Sequence, residues 1–284
     1  MHILVTGSKG QLGSEIQKIS KNYSDYKFTY TDIDELDITS KKDVNKFVSD
    51  NNFDIIINCA AYTAVDKCET EKNAARKANV IAVKNLAMAC ADNDISLIHI
   101  STDYVYDGKN HIPYKESDFT NPESYYGQTK LEGEQVIDEY AIKAVIIRTS
   151  WLYSAFGNNF VKTIIKHATA KDELNVVYDQ IGTPTYAGDL ATIILENIKK
   201  LELLEGINLY NFSNEGVCSW YDFAKEIVEL KNIKCIINPI ETKDYPLPAP
   251  RPAYSILNKD KIKTQLNTSI PYWKDSLKKC LKEL

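Results

Sequence analysis

No stretch of the chain is apolar for the roughly 20 residues that a membrane helix needs, so no membrane partner is expected. Basic residues are in the minority: Lys and Arg total 34 against 39 Asp and Glu, a formal charge of −5. Non-specific nucleic-acid binding needs a basic face, so nucleic acid is not an expected partner either. The four histidines, His2, His99, His111 and His167, stand far apart, with no H-E-x-x-H and no His–Cys cluster. A zinc site then lacks its ligand set, and no metal is expected. None of the six cysteines (Cys59, Cys68, Cys90, Cys218, Cys235, Cys280) has C-x-x-C spacing. They read as free thiols of a reducing compartment. The opening M-H-I-L-V-T-G enters a strand pattern directly, without the basic region and cleavage site of an export signal. The expected location is the cytoplasm.

What is present is an alternation. H-I-L-V-T, K-F-T-Y-T from Lys27, D-I-I-I-N from Asp54, I-S-L-I-H-I-S from Ile95 and A-V-I-I-R-T from Ala144 are short apolar strand candidates. Helical patterns lie between them; Ala75, Ala78, Ala82, Leu86 and Ala89 recur at three- and four-residue steps. Such alternation predicts an α/β fold, a doubly wound parallel sheet of Rossmann type. Beyond about residue 152 the pattern loosens. N-V-V-Y and I-N-L-Y-N-F read as strands, D-L-A-T-I-I-L-E-N-I as a helix, and a last helix starts near Tyr272. S-W-Y-D-F-A-K-E-I-V-E-L reads as a helix with Ser219 and Asp222 in capping-box spacing. D-Y-P-L-P-A-P-R-P holds four prolines in seven residues, which excludes helix and central strand. The expected division is a dinucleotide-binding domain, 1–152 plus about 181–209, and a smaller substrate-binding domain, about 153–180 plus 210–284.

T-G-S-K-G-Q-L-G places Gly7, Gly10 and Gly13 between the first strand and a helix beginning near Gln11. Glycines there permit a tight turn and close approach to a pyrophosphate, and the helix N-terminus offers free N–H groups. Gly7, Gly10, Gln11, Leu12 and Gly13 are therefore candidate cofactor contacts. Asp32 lies 19 residues beyond Gly13, at the end of the second strand, where a ribose-binding acid belongs. Asp34 and Asp37 are its neighbours in the same stretch, and Asp37 joins the candidate set. Ala60 and Ala61, small residues at the end of the third strand, leave room for the cofactor, with Tyr62 beside them. An acid on the ribose favours NADH, and Lys9 is the nearest cation that would favour NADPH.

S-Y-Y-G-Q-T-K, at 124–130, holds two adjacent tyrosines and a lysine. Tyr126 and Lys130 are four apart and share a helix face, whereas Tyr125 is five away and aligns less well. A free tyrosine titrates near pH ~10, too high for an acid working near neutrality. A nearby ammonium would lower it and also bond a cofactor ribose. S-T-D-Y-V-Y, at 101–106, closes the fourth strand on the edge where ligands bind in such sheets. Strand alternation lets only one of Ser101 and Thr102 face a substrate there.

The set T-G-x-x-G-x-x-G, N-x-A-A-Y-T-x-V-D, S-T-D-Y-V, Y-G-x-T-K, R-T-S-W and R-P-x-x-S resembles the extended short-chain dehydrogenase/reductases. Within them it resembles most closely the dTDP-4-dehydrorhamnose reductase family, over essentially the whole chain. The resemblance implies Thr102 as the catalytic hydroxyl, Tyr126 as proton donor and Lys130 as its partner. It also implies that Asp103, Tyr104 and Trp151 lie beside the sugar and that Arg251, in the proline-rich run, faces the diphosphate. Asn158 and Asn159 match the family without an assigned role. Glu15 matches one glutamate of a Mg²⁺-dependent dimer contact in some members, but the companion position holds Gly188. The implied activity is NADPH- or NADH-dependent reduction of the C4 ketone of dTDP-4-dehydrorhamnose to dTDP-L-rhamnose. The implied partner is a nucleotide-sugar, and the resemblance admits a homodimer. Two alternatives share many of these motifs: a nucleotide-sugar epimerase or dehydratase, and a non-catalytic nucleotide-binding regulatory subunit.

Overall fold

A computed structural model describes all 284 residues. The first five strand candidates form as expected: β1 (His2–Thr6), β2 (Lys27–Thr31), β3 (Ile55–Asn58), β4 (Ser96–Thr102) and β5 (Lys143–Thr149). With β6 (Gly206–Phe212) they make one six-stranded sheet, ordered β6-β5-β4-β3-β1-β2, all neighbours parallel. Both faces are covered. Ile3, Val5, Ile55 and Ile57 point into one apolar core, while Leu4 and Ile56 point into the other. Period-two alternation inside continuously apolar strands divides their side chains between two layers.

The strand order reverses about β1: β2 lies on one side of it and β3 on the other. The carboxyl ends of β1 and β3 therefore diverge around a crevice, where ligands bind in this architecture. Helix α1 (Gln11–Ile19) starts at that crevice, and α2 (Lys41–Ser49) returns the chain to β3. The expected helix through Ala75 and Ala89 is interrupted. A short helix, Lys72–Arg76, leads into a π turn, Lys77–Ile81, before α3 (Ala82–Asp92). The turn leaves Ala78 half-buried and brings Asn79 fully inside.

The smaller unit has its own core of 16 buried residues. Helices Phe160–Ala170, Trp220–Leu230 and Trp273–Leu281 pack there with a parallel pair of strands, Glu173–Val177 and Ile236–Ile240. The capping box forms, with Ser219 and Asp222 each bonding the other's backbone. The boundary differs from the expected one. β6 pairs with β5 through Phe212, three residues past the division near 209. Ile262, Leu266 and Ile270 are buried against the main sheet rather than in the smaller unit. No helix is long and apolar enough to cross a membrane.

Candidate active site

The glycine loop is as tight as its spacing predicts. Gly7 has φ +65, and a Cβ there would lie 2.6 Å from the Ala60 backbone. A Cβ on Gly13 would meet the Gly7 carbonyl at 2.4 Å. The loop thus folds on itself and against the segment after β3, a cradle that side chains would fill. Gly10 caps α1 without a side-chain bond. The N–H groups of Gln11 and Leu12 occupy the first turn, which no helix carbonyl reaches. These features fit a dinucleotide pyrophosphate. Asp32 holds the loop from the β2 side: its carboxylate accepts from the Lys9 N–H at 3.0 Å and from the Ile33 N–H at 2.9 Å. Lys9 is exposed and paired with Asp34 and Glu35, at 2.9 and 3.2 Å. Asp37 accepts from both the N–H and the hydroxyl of Thr39, which hold its carboxyl below the usual range. Ala60, Ala61 and Tyr62 are half-buried beside the loop. Asn79 clamps the Tyr62 backbone from both sides and also donates to Thr129, so the π turn ties this edge to the tyrosine helix. The Tyr62 phenol turns away to Glu71.

That helix, α4 (Tyr125–Tyr140), begins at Ser124, whose side chain accepts from the Gly127 N–H. Gly127 matters for a packing reason: a Cβ would sit 2.2 Å from the Tyr104 carbonyl oxygen. Without one, α4 closes onto the loop after β4 and brings Tyr126 to Thr102. The alternation on β4 separates the two hydroxyls as expected. Ser101 donates to Glu134, which also holds Arg148 in a buried ion pair. Thr102 turns the other way, donating to Asp103 at 2.9 Å. Tyr104 meets the Tyr126 ring edge-on at 5.5 Å.

The titrations depart from expectation at one point. Burial pushes the Tyr126 phenol up, offset in part by the Thr102 hydroxyl, and Lys130 does not pull it down. The Lys130 amine instead donates to the Ile100 carbonyl at 2.7 Å and lies 3.2 Å from His99 Nε2. Burial lowers Lys130 to about 8, against a smaller opposing effect of Glu134. Burial raises Asp103 to about 7. One of its carboxylate oxygens has no partner.

Facing this edge is a cleft of about 700 Å³ between the two units. Tyr104, Phe160, His167, Trp220, Tyr245 and Arg251 line it. Arg251 is not a linker arginine. Its guanidinium donates to Asp66 at 2.8 Å and to the Ala249 carbonyl at 3.0 Å. Trp151 is less direct than expected. It sits at φ +48 and stacks on Trp220 at 3.6 Å, so Trp220 forms the cleft wall in front of it. Asn159 caps the helix Phe160–Ala170 and donates to Gln11, bridging the phosphate loop to the smaller unit. Sequence reasoning missed Trp220, Asn79 and His99. Trp220 carried a signal, since it opens the capped helix; Asn79 and His99 carried none.

The family profile described as "RmlD substrate binding domain" matches residues 1–284. A dTDP-4-dehydrorhamnose reductase of Aggregatibacter actinomycetemcomitans is 40% identical over 285 residues, 97% of each chain. The crystal structure of a dTDP-4-dehydrorhamnose reductase from Clostridium acetobutylicum is 44% identical, covers 99% of both chains and superposes with a TM-score of 0.94. That of the Bacillus anthracis dTDP-4-dehydrorhamnose reductase, in complex with NADP, is 38% identical, covers 100% of this chain and 99% of its own, and gives 0.95. Matched from end to end in sequence and in structure, the chain belongs to the dTDP-4-dehydrorhamnose reductase family.

Proposed function

We propose that the chain reduces the C4 ketone of dTDP-4-dehydrorhamnose to give dTDP-L-rhamnose, using NADPH or NADH. One observation carries the reading: Tyr126 meets the Thr102 hydroxyl at the carboxyl edge of the sheet, with Lys130 one turn further along α4, and Tyr104 beside them lines the cleft. Gly7, Gly10, Gln11, Leu12, Gly13 and the Ala60–Tyr62 segment would hold the dinucleotide, with Asp32 and Asp37 on its ribose side. Bound there, the reduced nicotinamide supplies hydride to the carbonyl carbon.

The chain's own residues manage the proton. The Tyr126 phenol, pushed up by burial from an already high ordinary value, is protonated at neutral pH, the form a proton donor needs. It gives that proton to the oxygen on which charge develops, and the Thr102 hydroxyl stands beside it to bond the same oxygen. Lys130, as ammonium, stabilises the phenolate left behind. Asp103 and Tyr104 border the sugar. Arg251 spends two of its five N–H groups on Asp66 and the Ala249 carbonyl, and the rest would serve the diphosphate. Trp220, backed by Trp151, supplies an aromatic wall. The division of labour is a dinucleotide-binding sheet and a smaller substrate-binding unit. The free state of all six cysteines supports a cytoplasmic site of action. Sedimentation tests the homodimer that the resemblance admits.

Incubation with dTDP-4-dehydrorhamnose and reduced nicotinamide tests the function. The expected result is one equivalent of cofactor consumed per sugar, with dTDP-L-rhamnose as product. Conversion of a nucleotide-sugar without net cofactor consumption would make the protein an epimerase or dehydratase. Binding without conversion would make it a regulatory subunit.

A further inference from the structure

β4 also carries His99, fully buried and unused in the chemistry above. Each ring nitrogen has one neighbour: Nδ1 lies 3.0 Å from Asn58 Nδ2, and Nε2 lies 3.2 Å from Lys130 Nζ. The orientation of Asn58 follows from its other contacts. Its Oδ1 accepts from the Ala60 N–H at 3.1 Å and from the Thr6 hydroxyl at 2.8 Å. A backbone N–H only donates, so the atom facing it is the amide oxygen. The amide NH₂ is left to face His99, and Nδ1 must accept. A neutral imidazole has a single N–H. It therefore sits on Nε2 and points at Lys130. An ammonium there would set donor against donor. A neutral amine accepts from Nε2–H and still donates to the Ile100 carbonyl at 2.7 Å. An imidazolium does not fit, since it would oppose the Asn58 amide on one side and stand beside the lysine on the other.

We propose that His99 is a positioning residue: Asn58 holds it as the Nε2–H tautomer, and in that form it favours the neutral amine of Lys130 and sets the pH at which the lysine carries charge. This rests on the role given to Lys130 above. One other titratable group acts on the lysine from α4: Glu134, which favours the ammonium, while Tyr126 lies one turn away on the same helix. Burial acts in the same direction as this tautomer and outweighs Glu134. The chain Thr6–Asn58–His99–Lys130 joins β1, β3 and β4 to α4, so the lysine's state is fixed by groups on three strands beneath it.

Nitrogen NMR of the whole protein, labelled at histidine, reads the tautomer directly. The His99 signals are assigned by elimination with His2→Gln, His111→Gln and His167→Gln, none of them at buried positions. The expected pattern is Nε2–H, unchanged from about pH 6 to 9, although an ordinary histidine titrates near ~6.5. An Nδ1–H pattern, or titration to imidazolium in that range, overturns the proposal. This arm needs no turnover, so it stands or falls separately from the proposed reaction. In turnover, His99→Phe moves the alkaline limb of kcat/KM upward by about one pH unit, the scale of one hydrogen bond. A limb that stays in place makes His99 a spacer. One that moves down means that His99 accepted from the ammonium. Either result overturns the proposal.

Discussion

The two sides of the cleft are built in different ways. On the sheet side, each candidate group sits at or just after a strand end: Gly7 after β1, Asp32 after β2, Ala60 after β3, Thr102 closing β4. A parallel sheet puts all these ends on one edge. On the other side, the wall comes from distant segments joined in pairs: Trp151 with Trp220, and Arg251 with Asp66 across 185 positions. No single strand or helix orders them. The sheet side is therefore a scaffold whose chemistry follows from topology. The cleft wall holds only because side chains from separate segments bind one another.

That contrast predicts chemical defects on one side and binding defects on the other. Tyr126→Phe is expected to lower kcat by about 10² or more with cofactor affinity kept, whereas Tyr125→Phe does little. Comparable damage from Tyr125→Phe would mean that α4 presents the wrong tyrosine. Across the cleft, Arg251→Ala should raise KM for the nucleotide-sugar by roughly ten- to a hundredfold, about 1.5–3 kcal/mol for a charged hydrogen bond. Cofactor affinity should not change, and Arg251→Lys should not restore KM, because an ammonium lacks the planar fork. An unaltered KM would return Arg251 to a purely structural pairing with Asp66.

A third expectation concerns pH. Lys130 is lowered to about 8, so its ammonium is lost as pH rises through that value. Turnover should then fall about tenfold per unit above it, and a profile flat well above pH 8 would dissociate the lysine's charge from the step. The smallest effect belongs to the cofactor ribose. Lys9 is exposed and occupied by Asp34 and Glu35, and surface pairs of this kind exchange partners at little cost. NADPH and NADH should differ in kcat/KM by no more than about tenfold, and Lys9→Ala should alter that ratio by about threefold or less. A hundredfold NADPH preference untouched by Lys9→Ala would mean that Asp32 does not face the ribose.

Much of the sheet side was legible beforehand. Apolar runs ending at glycine or a polar residue marked β1 to β5, and the four-residue step put Tyr126 and Lys130 on one helix face, where both are buried. Ser219 and Asp222 announced their helix, because capping is a contact between residues three apart. The strand Ile236–Ile240 escaped notice, since it is half exposed, contains Pro239 and gains its meaning only from pairing with Glu173–Val177. The extent of β6 escaped for a related reason: only its register with β5 carries it to Phe212.

The sequence by itself determined what repeats or caps locally: the alternation of strand and helix, the glycine loop, the tyrosine–lysine face and the separation of adjacent hydroxyls to opposite sides of a pleated strand. Only the tertiary structure decided the rest. It turned Asn79 inward through a π turn, set Trp220 in front of Trp151, and placed the Lys130 amine on a carbonyl and a histidine instead of the phenol it was expected to acidify. The physical reason is one of range. Periodicity and capping arise from backbone geometry within a few residues. Burial and hydrogen-bond pairing arise between residues that are remote in sequence, and they leave no local period to read.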